Sequence, residues 1–319
     1  MIRIAIHWAL LSLAALPLPA AAAKLEPVRS ELGDANYRIR LVDLTPRFLD
    51  FYAAASAPGV DPEARWQLWQ ERYGFAAVPP TPEGQKIARR LVEEAWPKYE
   101  AALPVIRAGG AAMKPDPLTV LRQVSAVLKP STPVEVEVRT YVGAFDGNAF
   151  TFGETGKPGV AVPTEMTEAQ RATVLPHEMT HAVHMLTANL SGGWERSIAM
   201  TMLQEGLAVH VSQTVAPGRD IRDHIEFSPG WWDAANAKRR SILTAIAPVL
   251  DRKDSDSVFR FTMGRGPNGL EREAYAAGWW VVDHLRRRGM SLAEIARIPE
   301  AEMPAVVHRA INEMVGGQP

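Results

Sequence analysis

The chain contains no cysteine. This absence excludes disulfides, thiolate metal sites, iron–sulfur clusters and cysteine nucleophiles, so any metal ion must be bound by histidine or carboxylate side chains. The chain also lacks a large excess of charge of either sign, because 35 Lys and Arg residues stand against 36 Asp and Glu residues. Such a balance gives no electrostatic reason to expect a nucleic acid as the partner.

Long apolar runs are also missing beyond residue 23, where no stretch reaches the roughly 18 residues that a membrane-spanning helix needs. Residues 1–23 are different, because Arg3 is followed by an apolar stretch from Ile4 to Leu16 and the segment ends in Ala21 to Ala23. This pattern is typical of a secretory signal peptide with an A-x-A cleavage site. We therefore expect an exported protein, periplasmic or secreted, with no stable membrane insertion after cleavage. An uncleaved N-terminal anchor is the alternative.

The overall composition, with 47% hydrophobic residues, is that of a globular protein with a substantial core. From residue 24 to residue 133 the pattern is mainly helical, and three of four candidate helices begin at a proline, which the first helical turn tolerates. Pro97 is expected to kink or divide the third candidate. The four candidates are Arg47 to Ala55, Pro62 to Tyr73, Pro82 to Leu103 and Pro117 to Leu128.

Strand signals begin at residue 134. Val134 to Arg139 alternates apolar and charged residues with a period of two, which predicts a half-buried strand. Asn148 to Phe152 and Val160 to Val162 are shorter strand candidates separated by glycine-containing turns, so we expect a small antiparallel sheet. The residues that follow are again mainly helical. The predicted fold class is α+β, mostly helical, with an N-terminal helical region over 24–133 and a second region over 134–319.

An H-E-x-x-H motif, with the sequence H-E-M-T-H, covers His177 to His181. The motif lies on a predicted helix, because Thr167 and Gln170 form a capping box ahead of it and apolar residues follow at helical spacing. Histidines four residues apart on a helix project side by side and can bind one zinc ion. Glu178 lies on the same side, where it would act as the general base of a hydrolase.

A catalytic zinc site needs three protein ligands, and Glu205 is the candidate for the third. It lies 24 residues beyond His181, in the segment Q-E-G-L-A. Ile198, Met202 and Val209 share its helical stripe, which predicts that the carboxylate points inward. A buried carboxylate requires a cation or hydrogen-bond partners, and zinc would supply the cation. The alternative is that Glu205 pairs with a buried arginine.

The H-E-x-x-H motif with a downstream glutamate resembles the gluzincin metallopeptidases, which have a thermolysin-like catalytic core. The E-G-L-A segment at Glu205 to Ala208 is similar to that of the YjaZ-like family of predicted zinc-dependent proteases. The resemblance covers Val134 to Ile298, which is about half of the chain. It departs from thermolysin-type enzymes at Val209, where those enzymes have an aspartate, so the group that orients a zinc histidine must be a carboxylate from elsewhere or a backbone carbonyl.

The resemblance implies a peptide or protein substrate and a set of site residues. It implies one Zn²⁺ per chain, bound by His177, His181 and Glu205, with Glu178 as the base. It also points to Tyr275, in a Tyr-x-x-Gly segment, as the donor to the oxyanion of the tetrahedral intermediate, with core packing as the alternative role. The family core further places an edge strand beside the metal, and either of the two short strand candidates could bind the substrate as an added strand.

Two other functions fit the same residues. One is a zinc hydrolase that acts on a non-peptide amide, and the other is a non-catalytic binding protein that retains the metalloprotease fold. The presence of Glu178 counts against the second, because a binding scaffold needs no base. His184 is expected to be a packed residue or a neighbour of the zinc ligands, whereas His210 and His224 are candidates for an additional ligand or donor. No feature of the sequence indicates an oligomeric state.

Overall fold

The structure is a computed structural model that describes residues 24–191 and 196–316. The described residues are 58% helical and form a five-stranded sheet on the N-terminal side. The predicted fold class, α+β and mostly helical, is therefore confirmed. The predicted signal peptide, residues 1–23, lies outside the described residues. Among the residues described, no helix is long and apolar enough to cross a membrane.

The sheet is mixed, with both parallel and antiparallel pairs of strands. Its strands are β1 (Val28–Gly33), β2 (Tyr37–Asp43), β3 (Val134–Tyr141), β4 (Phe150–Glu154) and β5 (Lys157–Pro163). They lie in the order β1-β2-β3-β5-β4. β2 pairs with β3 and β3 pairs with β5 in parallel, whereas the two outer pairs are antiparallel. The expectation of an antiparallel sheet is therefore wrong.

The parallel pairs follow from the way in which the chain connects the strands. Parallel neighbours need a crossover connection rather than a tight turn, and the helices between β2 and β3 provide one. β4 turns back into β5 as a hairpin, which puts β5 between β3 and β4. β1 and β2 were not predicted within the mainly helical region, although Tyr37, Ile39 and Leu41 alternate with two arginines in the period-two pattern of a strand.

The described residues form thirteen α-helices. These are α1 (Thr45–Ala55), α2 (Pro62–Leu68), α3 (Pro82–Ala108), α4 (Pro117–Leu128), α5 (Glu168–Thr187), α6 (Ile198–Val215), α7 (Arg222–Ile225), α8 (Trp231–Ala237), α9 (Arg239–Ile246), α10 (Ser255–Thr262), α11 (Glu273–Arg287), α12 (Leu292–Ile295) and α13 (Met303–Gly316). The candidate metal ligands lie on α5 and α6, and Tyr275 lies on α11.

The predicted helices of the N-terminal region are present, with changes at their ends. α4 has the predicted bounds, and the candidate from Pro62 to Tyr73 is α2 followed by a π-helical turn, Trp69–Tyr73. α3 continues through Pro97 and ends at Ala108, so Pro97 does not divide it. α5 continues through Pro176 in the same way. A proline inside a helix removes one hydrogen bond, and the tertiary packing of these helices outweighs that loss.

The sheet lies between two layers of helices. Val160 and Val162 of β5 belong to a core that also contains residues of α4, α5, α6 and α11. Ala161, between them in the sequence, belongs to a second core with residues of α1, α2 and α3. Side chains alternate between the two faces of a strand, which produces this division. α1, α2 and α3 therefore cover one face of the sheet, and α4 covers the other face together with the helices that carry the candidate site residues.

α6 and α11 cross with their backbones in direct contact. Gly206 of α6 lies against the carbonyl group of Gly278 of α11, and Gly278 lies against the carbonyl group of Met202. A methyl group added at either glycine would overlap the opposing carbonyl oxygen. Glu205 immediately precedes Gly206, and Tyr275 lies three residues before Gly278. The crossing therefore sets the distance between these two candidate site residues.

We expect Gly206→Ala to lower the free energy of unfolding by about 3 kcal/mol, because the added methyl group forces two close-packed backbones apart. Urea unfolding followed by circular dichroism measures the change. Gly316→Ala is the control, since a methyl group added there meets no atom within 4 Å. Its effect should stay below about 0.5 kcal/mol. Equal stability of the two variants would contradict the close contact between α6 and α11.

Candidate metal centre

α5 holds the two histidines of the H-E-x-x-H motif near its middle. The helix begins with the predicted capping box, in which Thr167 Oγ1 accepts a hydrogen bond from Gln170 N and Gln170 Oε1 accepts one from Thr167 N. Because the helix is continuous from this start, His177 and His181 lie on one face. Their Nε2 atoms are 3.2 Å apart.

α6 runs antiparallel to α5 and brings Glu205 to the two histidines. Ser212 Oγ donates a hydrogen bond to Thr173 O, and Glu205 contacts His177. His177 comes after Thr173 along α5, whereas Glu205 comes before Ser212 along α6, so the two helices run in opposite directions. Glu205 Oε2 is 3.2 Å from His177 Nε2 and 3.4 Å from His181 Nε2. Within the described residues, Glu205 therefore pairs with the histidines and not with a buried arginine.

The three ligand atoms have the spacing that a small metal ion requires. In a tetrahedral site with metal–ligand bonds of about 2.0 to 2.1 Å, neighbouring ligand atoms are about 3.3 Å apart. The separations among His177 Nε2, His181 Nε2 and Glu205 Oε2 are 3.2, 3.2 and 3.4 Å. These residues lie close enough together to bind a metal ion. Their side chains are 13% to 16% exposed, so the cluster is not fully closed to solvent.

The charges of the cluster compensate one another. Burial lowers the pKa of the His177 imidazole, but the hydrogen bond with Glu205 and the charges of Glu178 and Glu205 outweigh it and leave the pKa raised. Burial raises the pKa of the Glu205 carboxyl group, but the charge of His181 and the hydrogen bonds with both histidines leave it well below its ordinary value. Glu205 is therefore ionised, and a bound cation would further stabilise its charge.

Glu178 is connected to β4 through Thr151. Thr151 Oγ1 lies 2.8 Å from Glu178 Oε2 and 2.9 Å from Glu178 O, so its hydroxyl group donates its proton to one of these two acceptors. β4 is the edge strand on this side of the sheet, and the contact therefore holds the base candidate at the sheet edge. Thr151 was not predicted as a site residue, because a lone threonine on a short strand carries no signature in the sequence.

Tyr275 lies on the first turn of α11, beside Glu205. Burial and then the charge of Glu205 hold the pKa of the Tyr275 hydroxyl group well above its ordinary value. The charge of Arg272 opposes this shift, and the charge of Glu178 adds to it. The hydroxyl group is therefore protonated at neutral pH and can donate a hydrogen bond. The structure brings the predicted donor next to the predicted third ligand.

The three further histidines considered in the sequence analysis, His184, His210 and His224, lie outside the metal cluster. His184 is 1% exposed, and neither of its ring nitrogens has a hydrogen-bond partner in the described residues. The ring of His210 stacks on a tryptophan ring with 4.8 Å between centroids. His224 Nδ1 lies 2.8 Å from Ser212 Oγ. His184 is thus a packed residue, and within 24–191 and 196–316 neither His210 nor His224 belongs to a group that could hold an ion.

No protein-family model, curated protein or solved structure matches the chain. The resemblance to the gluzincins therefore stays a prediction. It rests on the H-E-x-x-H motif and the E-G-L-A segment of the sequence. The structure adds that His177, His181 and Glu205, which these two segments contribute, lie together.

We expect His184→Leu to stabilise the protein and to weaken the dependence of its stability on pH. Burial, with the charges of His181 and Arg196, lowers the pKa of His184 to about 3 from an ordinary value of 6.5. Between these pH values the unfolded chain binds a proton that the folded chain does not, so stability falls as the pH falls. In the variant, the slope of the unfolding free energy against pH should decrease by up to about 1.4 kcal/mol per pH unit. The free energy of unfolding at neutral pH should rise by about 1 kcal/mol.

Urea unfolding at pH values of about 5, 6 and 7 measures both effects of the His184 substitution. His308→Leu is the control, because the His308 side chain is 37% exposed and hydrogen-bonds to Asp251. We expect the control to show no gain in stability at neutral pH. The same slope of stability against pH in the wild type and in His184→Leu would contradict a buried, neutral His184.

Proposed function

We propose that this protein is an exported, zinc-dependent metallopeptidase of the gluzincin type. The observation that carries the proposal is the cluster of two imidazole nitrogens and one carboxylate oxygen, which are spaced like three corners of a tetrahedron around a small ion. Two histidines and one glutamate are a known ligand set of catalytic zinc. Glu178 and Tyr275 lie beside this cluster. Export is supported by the signal-peptide pattern of residues 1–23.

The proposed mechanism gives each side chain one role. His177, His181 and Glu205 would hold the zinc ion, whose chemistry is to polarise the scissile carbonyl group and to make a water molecule more acidic. Glu178 takes a proton from the attacking water and delivers it to the leaving amine. Tyr275 donates a hydrogen bond to the carbonyl oxygen as that oxygen becomes negative.

β4 supports a peptide as the substrate. It is an edge strand, and its outer backbone groups pair with no other strand in the described residues. An extended peptide can add to such an edge as a further strand. Because Thr151 of β4 contacts Glu178, a peptide paired there would pass close to the proposed base. β5, the other strand considered for this role, is an interior strand.

The alternative functions would make different use of these features. A hydrolase of a non-peptide amide needs a base and a donor but no free sheet edge, so the position of β4 favours a peptide. A binding protein needs neither group, so the hydrogen bond that holds Glu178 in place favours an enzyme. No nucleic acid or membrane enters the proposal, since the charges of the chain are balanced.

We expect purified wild-type protein to contain one zinc ion per chain, and His181→Ala and Glu205→Ala to lose it. Removal of one ligand should lower the affinity for zinc by at least about 100-fold. Inductively coupled plasma mass spectrometry gives the metal content, and circular dichroism shows whether each variant is folded. His308→Ala is the control, because His308 pairs with Asp251 outside the cluster. The ligand assignment fails if the wild type stays free of zinc after reconstitution, or if either ligand variant retains full zinc.

We expect Glu178→Gln to keep its zinc and to lose peptide hydrolysis. Glutamine fills the same space and still accepts a hydrogen bond from Thr151, but it cannot take a proton from water. The value of kcat/KM should therefore fall by about 1,000-fold. Cleavage of a mixed peptide library, followed by mass spectrometry, measures the loss. Undiminished turnover by Glu178→Gln would show that another group is the base.

The same assay tests the role of Tyr275. Tyr275→Phe keeps the ring and removes only the hydroxyl group, so loss of the oxyanion donor should reduce kcat/KM by about 100-fold. The zinc content should not change, because Tyr275 is not among the three ligands. Wild-type activity in this variant would leave Tyr275 with a packing role alone.

A further inference from the structure

Arg272, Phe227 and Tyr275 form a cluster that extends from the metal centre to the protein surface, hereafter the rim cluster. The guanidinium carbon of Arg272 lies 4.2 Å from the centroid of the Phe227 ring and 5.7 Å from that of the Tyr275 ring. The two rings meet edge to face, with 5.3 Å between their centroids. Tyr275 lies beside Glu205 at the inner end, and Phe227 is 39% exposed at the outer end.

The guanidinium group of Arg272 has no acidic partner in the part of the chain that the structure describes. Glu273, the next residue, is buried and turns away, because its carboxylate accepts hydrogen bonds from the backbone N–H groups of Asn268 and Leu270. A guanidinium that stacks on aromatic rings keeps its N–H groups for other partners. Arg272 is therefore a cation that can bind an anion beside the metal centre.

The backbone holds Arg272 in one position. Its φ of 55° lies in the left-handed region that favours glycine, and its N–H group donates to Gly264 O at 3.0 Å. A non-glycine residue in this region is strained and persists where the surrounding structure imposes it. α11 begins at the next residue, so the first turn of this helix fixes the position of Arg272 relative to Tyr275.

We propose that Arg272 binds a carboxylate group of the substrate, and that the enzyme therefore prefers peptides with a negative charge close to the scissile bond. This inference rests on the peptidase function proposed above. A guanidinium binds a carboxylate through two parallel hydrogen bonds. Because the adjoining Tyr275 is the proposed oxyanion donor, the carboxylate belongs near the cleaved bond. It is either the C-terminal carboxylate of the peptide or the side chain of an Asp or Glu residue.

Arg272 also acts on Tyr275 through its charge, which opposes the effect of Glu205 on the tyrosine hydroxyl group. If this were its only role, the loss of Arg272 would affect every substrate to the same extent. A carboxylate-binding role predicts an additional loss for charged substrates, expressed mainly in KM. Matched pairs of charged and neutral peptides therefore separate the two roles.

The test uses a fluorogenic peptide that wild-type enzyme cleaves, synthesised in matched forms. One pair ends in a free carboxylate or in an amide, and the other pair has Glu or Gln next to the scissile bond. We expect the wild type to prefer the charged member of one pair by at least about 10-fold in kcat/KM. Arg272→Met should lose this preference through KM, so that the kcat/KM values of the charged and neutral members of that pair become equal within about 2-fold.

Two further variants control for charge and for folding. Arg260→Met removes the same charge from an exposed arginine of α10 and should keep the wild-type preference. Arg272→Gly removes the guanidinium group and also relieves the left-handed backbone. It therefore supplies the test if Arg272→Met does not fold.

A binding measurement separates failure of this inference from failure of the proposed peptidase function. In a Glu178→Gln background, which should not turn over substrate, tryptophan fluorescence gives the Kd of each peptide. Adding Arg272→Met should raise the Kd of the charged peptide by at least about 10-fold and leave that of the neutral peptide unchanged. Absence of cleavage by the wild type would contradict the peptidase function, and the binding result would still decide the role of Arg272.

The two peptide pairs also identify the source of the carboxylate. Loss of preference in the acid–amide pair alone assigns Arg272 to the C-terminal carboxylate, and loss in the Glu–Gln pair alone assigns it to a side chain. The inference is overturned if the wild type shows no preference in either pair. It is also overturned if Arg272→Met and Arg272→Gly keep the wild-type ratios in both cleavage and binding.

Discussion

Gly206 and Gly278 allow α6 and α11 to touch backbone to backbone, and the candidate site depends on that contact. Because no side chain separates the helices at this point, Glu205 and Tyr275 approach each other from adjoining turns. A methyl group between the helices would move a proposed oxyanion donor away from a proposed ligand by a distance that a hydrogen bond does not tolerate. The packing of these two backbones therefore sets the distance between Glu205 and Tyr275, independently of the polar contacts of the site.

The metal cluster connects α6 to α5 through polar side chains. Three polar side chains that converge within 3.4 Å would be unfavourable in a core if any of them lacked a partner. The charge of His181 and the hydrogen bonds with both histidines stabilise the ionised form of Glu205. A bound cation would compensate the carboxylate and serve all three donor atoms at once. The contact between α5 and α6 is consequently coupled to whatever cation occupies the cluster.

Features that depend on local pattern could be predicted from the sequence. The capping box at Thr167 and the spacing of the H-E-x-x-H motif determine α5, and the apolar stripe around Glu205 determines its inward direction, since both follow from the helical period. The α+β class follows from the same periodicities. Parallel strand pairing, Thr151 and Arg272 could not be predicted in this way. Thr151 reaches the site from a strand and Arg272 from a loop, and their proximity is set by the fold.

The mixed sheet has a consequence for the order in which the protein acquires its site. Thr140 of β3 contacts Asp43 of β2 across 97 residues of chain, and β5 then pairs with β3. Contacts between such distant segments form slowly, because the chain loses the entropy of closing a long loop before it gains the pairing. β4 takes its place at the edge only through β5. The pairing of β2 with β3 is therefore expected to limit the rate at which the sheet forms, whereas Thr151 and Glu178, 27 residues apart, belong to the more local part of the fold.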